Sequence, residues 1–142
     1  MSQPIVIGYV YGNGANPAKV TQAEAKIRAK ARGLGLDVSQ IFVDPAGSGR
    51  TRPARAAALE AIRTRRASVL IVPAFHTLTR HAEELFDLCD PVFGDFKRAR
   101  LVAVASHFDS ADKTDRIGWA CLRHFAQLEA ELSYQRDGHT LH

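Results

Sequence analysis

Residues 5–11 read Ile-Val-Ile-Gly-Tyr-Val-Tyr, an unbroken apolar run rich in β-branched and aromatic side chains. A strand with one wet face alternates apolar and polar residues. A run of this length without alternation fits a strand covered on both faces, as in a parallel sheet between helices. Turn chemistry follows at Gly12-Asn13-Gly14, and Asn16-Pro17 supplies a helix cap and first position, with Thr21-x-x-Glu24 as a capping box. The pattern predicts a helix to about Arg32, ended by Gly33 and Gly35. Working outward, the same alternation continues. A strand is expected over 38–43, a helix from Pro53 to about Arg66, a strand over 67–72 and a loop from Pro73 to Arg80. A helical pattern then runs from Ala82 to about Arg98, interrupted near Pro91 and Gly94, followed by a strand over 101–105 and a last helix from about Thr114 to Arg136. Strands alternating with helices indicate βαβ crossovers. The expected fold class is therefore α/β: a three-layer α/β/α domain with a mostly parallel central sheet of four to five strands and a long C-terminal amphipathic helix.

The chain has 142 residues, 46% of them apolar and 24% charged, which fits one compact domain and excludes wholesale disorder. No stretch approaches the roughly 18 consecutive apolar residues of a membrane span, and the first residues lack the pattern of a signal peptide, so a cytoplasmic protein without a membrane partner is expected. Cys89 and Cys121 have neither disulfide-scaffold nor zinc-site spacing and read as small core residues. The net charge of +4 is unevenly placed: residues 19–66 carry +7 and residues 67–142 carry −3. Such polarity suits a phosphate-bearing partner, although solvated helix faces would give the same count.

In this class of fold the ligand site lies at the carboxyl ends of the strands, which selects the loops 11–16, 44–55, 73–80 and 106–112. The second loop, Gly47-Ser48-Gly49-Arg50-Thr51-Arg52, places backbone N–H groups, a hydroxyl and guanidinium groups ahead of a helix N-terminus, an arrangement suited to an anion. It lacks the Walker A spacing, and Gly12 and Gly14 are not completed into a dinucleotide fingerprint, so no cofactor is expected. His76 and His81 are five residues apart, without HExxH spacing, so no metal is expected either. Ser48 stands in Gly-Ser-Gly rather than GxSxG, and Asp109, Asp112 and Asp115 read as favourable charge at a helix start.

Taken in order, these segments resemble the catalytic domain of the serine recombinases, the resolvase/invertase family. The family's opening strand ends in Tyr-x-Arg-x-Ser; here that place reads Tyr9-Val10-Tyr11-Gly12-Asn13. Its second loop has an aspartate, a Ser-Gly pair and an arginine at a helix start, matched by Asp44, Ser48-Gly49 and Arg52-Pro53. After the third strand the family reads Leu-Asp-Arg-Leu-x-Arg, and this chain reads Phe75-His76-Thr77-Leu78-Thr79-Arg80. The last helix, with Phe125-Ala126-Gln127-Leu128-Glu129-Ala130-Glu131, is similar to the family's long terminal helix. The likeness runs from about Ile5 to Arg136.

The resemblance implies a serine that attacks a DNA phosphodiester while arginines stabilise the developing charge. Residue by residue, the serine position is Asn13, one arginine position is Tyr11 and another Thr77, and the aspartate position is His76; Arg52 and Arg80 remain. The expected function is thus a recombinase-like domain without strand-exchange catalysis. Arg52, Arg80, Ser48 and Arg50 are its expected phosphate or DNA contacts, limited to the backbone and sensitive to salt. A tyrosine-based site using Tyr11 with His76 as acid or base is the less favoured catalytic alternative.

Ile117, Cys121, Phe125, Leu128 and Leu132 recur at three- and four-residue intervals on the last helix. With Trp119, Phe125 and Leu132 as its dimer face, that helix suggests a homodimer; a regulatory module with a different protein partner is the rival expectation. A small enzyme acting on a phosphate ester or nucleotide through the Gly47–Arg52 loop is a third. Residues 1–136 are read as the recombinase-like domain and 137–142 as a tail, with no helix-turn-helix module in the sequence given.

Overall fold

A computed structural model of the protein describes residues 3–12, 17–45 and 51–140, with residues 134–140 described by their backbone. Ten elements follow in order: β1 (Val6–Tyr11), α1 (Pro17–Gly33), β2 (Val38–Asp44), α2 (Pro53–Arg63), β3 (Val69–Val72), α3 (Phe75–Leu78), α4 (Ala82–Phe93), β4 (Arg100–Ala103), β5 (Phe108–Asp109) and α5 (Lys113–Thr140). Pro17 and Pro53 each open a helix, where the missing N–H costs nothing and φ is preset.

The strands form one sheet in the order β2-β1-β3-β4-β5. The first three pairings are parallel and β4–β5 is antiparallel. Every residue of β3 is buried, as are Val6 to Val10 of β1, so the apolar runs lie between two layers as their lack of alternation predicts.

One layer is α1 alone. Ile27 and Ala31 press on Val6, Val10, Val69, Ile71 and Val102. Gly8 lets the helix come close: a Cβ there would lie 3.0 Å from Ile27 Cγ2. The other layer holds α2, α3, α4 and α5 over Ile7, Tyr9, Leu70, Val72, Leu101 and Ala103. Right-handed crossovers require this split, because the chain moves one way from β1 to β2 and the other way from β2 to β3.

Several elements differ from expectation. The loop 73–80 contains α3, a single turn too short to show periodicity. The loop 106–112 contains β5, added to the sheet edge through Phe108 and Asp109. The helical pattern expected to reach Arg98 ends at Phe93: Pro91 is accommodated inside α4, and Gly94, with φ 57°, terminates it. Helix α5 also passes the expected end at Arg136 and continues to Thr140, since one Gly138 lowers helix stability by only about 1 kcal/mol.

Trp119 requires a correction. It was placed on the dimer face, yet it is 3% exposed. Its indole packs against Phe75, Phe86, Phe96 and Phe108, with ring centroids 4.9 to 5.7 Å away. This aromatic cluster holds α3, α4, β5 and α5 together. Trp119 and Ala126 form the inward face of α5, and at 3.6 residues per turn the stripe of Ile117, Cys121, Phe125, Leu128 and Leu132 lies nearly opposite. Those five side chains are exposed. Cys89, by contrast, is buried as expected, and burial pushes its thiol up to about 12.

Among the described residues no helix is long and apolar enough to cross a membrane, and no group of His, Cys, Asp or Glu is placed to hold a metal ion.

Candidate functional site

The strand order reverses direction between β1 and β3, which marks the carboxyl ends of these strands as the place where this class of sheet forms its ligand site. Tyr11 and Gly12 reach it from β1, Asp44 from β2, Arg52 and Arg55 from the start of α2, and residues 73–80 from the end of β3.

Asp44, the last residue of the edge strand β2, is nevertheless fully buried. Its carboxylate accepts the Tyr9 hydroxyl at 2.8 Å and the backbone N–H groups of Ala54 and Arg55 at 2.8 and 2.9 Å. A buried carboxylate is tolerated only with such partners, and here it neutralises the positive end of α2. Burial, and next the bond to Asp44, hold the Tyr9 hydroxyl well above its ordinary value, with the nearby Arg52 guanidinium opposing the shift. The helix N-terminus expected to receive an anion is therefore occupied by the chain's own carboxylate. Ser48, Arg50 and Asn13 lie outside the described residues.

Arg52 is held from several sides. Its Nη1 donates to the carbonyls of Thr77 and Leu78 at 2.9 and 3.0 Å, and its guanidinium lies over the Tyr11 ring, 3.9 Å from the centroid. The aromatic face attracts the cation and excludes water from one side of it. The backbone is forced as well: Arg52 has φ 22°, a region L-residues rarely adopt. Arg55, one turn further along α2, joins it by donating from Nη1 to the Leu78 carbonyl at 2.6 Å and approaching Glu84 at 4.0 Å. Two arginines thus grip the carboxyl end of α3.

The geometry brings Tyr11, Arg52 and Thr77 together. Thr77 is buried and offers its carbonyl, not its side chain, to Arg52; His76 is exposed beside it. Arg80 is exposed and lines a different cavity of about 520 Å³ with His81, Glu83, Glu84, Asp87 and Glu129. Four carboxylates around one guanidinium give that cavity a negative field. Arg55 was missed in the sequence, although its three-residue spacing from Arg52 at a helix start was a usable sign that both point the same way.

The profile of the family described as "Resolvase, N terminal domain" matches residues 16–141. Among solved structures, the N-terminal catalytic domain of TP901-1 integrase superposes with a TM-score of 0.77 at 19% identity, covering 89% of this chain and 97% of that one. A resolvase family site-specific recombinase from Streptococcus pneumoniae gives 0.72 at 17% identity, covering 98% and 96%. A serine recombinase from Sulfolobus solfataricus gives 0.57 at 15% identity, covering 94% and 89%. At these identities the superpositions establish the fold. A search of curated proteins found no match.

Proposed function

Because the chain belongs to the resolvase N-terminal domain family, with 16–141 as the matched residues, we propose that it is a serine-recombinase domain that keeps self-association and DNA-backbone contact but does not break DNA. The observation that carries this reading is the state of Arg52. A guanidinium that stabilises a transferring phosphate must have N–H groups free to meet it. Arg52 instead commits both N–H groups of Nη1 to the Thr77 and Leu78 carbonyls and one face to Tyr11, a residue standing where the family has an arginine, which leaves only Nε and Nη2 to meet a phosphate.

The remaining positions support the same conclusion. The carboxamide of Asn13 cannot form a phosphoseryl ester. Thr77 replaces an arginine and His76 an aspartate. Each missing charge-stabilising donor costs on the order of 10² to 10³ in rate, so losses at several positions compound.

Self-association is assigned to α5, whose exposed Ile117, Phe125, Leu128 and Leu132 form an apolar stripe directed away from the domain's own core. A second copy would cover the same stripe on both partners, the usual arrangement of a two-fold dimer. Contact between the domain and DNA phosphates falls steeply with salt.

Supercoiled plasmid provides the test. The protein should give neither nicked product nor a covalent protein–DNA species, and Asn13→Ser should remain inactive because the arginine set is still incomplete. Reproducible nicking by the unaltered protein would overturn the proposal. Nicking by Asn13→Ser alone would show that Arg52 can leave Tyr11 and serve a phosphate.

A further inference from the structure

The charge of the domain is distributed against the direction its family would suggest. At the carboxyl ends of the strands, the cavity around Arg80 carries Glu83, Glu84, Asp87 and Glu129. At the opposite end, where the strands begin, a second cavity of about 310 Å³ is lined by Lys97, Arg98, Arg100 and Arg116, with no carboxylate among its lining residues. We infer that the phosphodiester backbone of duplex DNA is held along this N-terminal edge of the sheet, and not at Arg52 and Arg80. The inference rests on the reading above that the domain retains contact with DNA phosphates, and it assigns that contact a place.

The edge is built from two helix-to-strand connections lying side by side. The Arg100 N–H donates to the Ser68 carbonyl at 2.8 Å, so the beginnings of β3 and β4 run next to each other. Arg66 and Arg98 each precede that bond by two residues on the two chains. Both arginines therefore leave their connections at the same, amino-terminal end of the sheet. Arg65 adjoins them, at φ 64°, in a left-handed conformation that directs the end of α2 into β3. Arg65, Arg66 and Arg98 are all exposed.

Not every cation of the edge is available. Arg100 forms two bonds with Asp109 at 2.5 and 2.8 Å, and Lys97 lies 3.5 Å from Asp95, exposed enough to be exchanged. Arg116 donates Nη1 to the Ser110 carbonyl, an uncharged acceptor that leaves its charge uncompensated. Arg65 and Arg98 have no carboxylate partner among the described residues; Arg66 donates to the Thr64 hydroxyl at 3.2 Å, and, after the Arg63 bond, its charge helps hold the Glu60 carboxyl below its ordinary value. Three guanidinium groups along one edge, those of Arg65, Arg98 and Arg116, therefore carry charge that the domain does not neutralise. A linear polyanion meets such a row with several phosphates at once, and each contact releases counterions.

The test is fluorescence anisotropy of a labelled duplex with the full chain, titrated over a range of salt. The double variant Arg66→Ala/Arg98→Ala should lower the slope of log affinity against log salt by about two and weaken binding at moderate salt, with unchanged thermal unfolding. Arg80→Ala should leave both quantities as they were. Loss of binding in Arg80→Ala with an unaffected edge variant would overturn the assignment while leaving DNA contact intact. An edge variant that loses stability but binds equally well when folded would also overturn it. An unaltered protein that does not bind duplex at low salt would remove the reading on which the assignment rests.

Discussion

The Tyr9 hydroxyl donates to Asp44 Oδ2 at 2.8 Å across the boundary between β1 and β2, and the same carboxylate caps α2 through Ala54 and Arg55. One buried anion thus joins two strands and the helix that carries Arg52. Asp44→Ala would leave a buried hydroxyl and two helix N–H groups without partners, at a cost of about 3–5 kcal/mol. Tyr9→Phe removes one bond and leaves the carboxylate its two N–H donors, so about 1–2 kcal/mol is expected. Urea unfolding of the two variants measures the order; equal costs would show that the cap contributes nothing.

The same pair fixes the response to alkaline pH. The Tyr9 hydroxyl is held above its ordinary value of 10.0 in the folded protein, first by burial and then by Asp44. A group with a raised folded value contributes stability that is complete below its unfolded value and is lost as pH rises beyond it. Above about pH 10 the unfolded chain releases a proton that the folded chain keeps, so stability should fall by up to about 1.4 kcal/mol per pH unit from this group. Unfolding free energies of the parent and Tyr9→Phe between pH 8 and 11 isolate it: the difference between them should shrink across that window, and a constant difference would exclude the linkage.

How far the fold was legible depends on which forces set each element. The runs 5–11 and 67–72 appear where expected because a strand covered on both faces needs continuous apolar sequence, whereas the edge strand over 38–43 was legible from its β-branched and aromatic residues although Ser39 and Gln40 are exposed; Pro17 and Pro53 mark helix starts by backbone geometry alone. Elements held by distant contacts were not legible. Leu101 N–H donates to the Ser110 hydroxyl at 2.8 Å, and Phe108 joins the rings around Trp119, which together fix β5. The turn of α3 exists because Arg52 and Arg55 hold its last carbonyls. The site was legible in its residue types but not in its wiring: Asp44 and Arg52 stand out in sequence, while the cap across ten residues and the stack on Tyr11 follow only from the sheet order. Trp119 illustrates the limit of periodicity, since a helix with apolar residues on both sides does not say which side is covered.

The exposed face of α5 makes a prediction that Cys121 reports directly. Cys121 lies on the stripe with Phe125, whereas Cys89 is buried with its thiol pushed up to about 12. A maleimide should label only Cys121 in the folded chain and both thiols after denaturation. If α5 is the dimer face, light scattering should give twice the chain mass, and Phe125→Glu with Leu128→Glu should give the monomer and speed labelling of Cys121. A parent protein that remains monomeric at high concentration would exclude the dimer. Labelling rates that do not change between parent and variant would place the interface elsewhere.

Helix α1 rests on the sheet with Ile27 directly over Gly8, and this contact sets the last expectation. An added Cβ would meet Ile27 Cγ2 at 3.0 Å, Ile27 Cδ1 at 3.2 Å and Ile41 Cγ1 at 3.3 Å. Ile27 is fully buried and has no free space to turn into, so α1 would have to shift outward. Overpacking of this kind costs about 1–3 kcal/mol, and Gly8→Ala should destabilise by that amount despite the higher strand propensity of alanine. Ile27→Ala, which removes both Cγ2 and Cδ1 from the same contact, costs about 2–5 kcal/mol by itself. In the double variant the losses should not add, because the second change makes room for the first. Chemical denaturation of the four proteins gives the coupling directly, and strictly additive losses would show that α1 does not rest on β1 at this glycine.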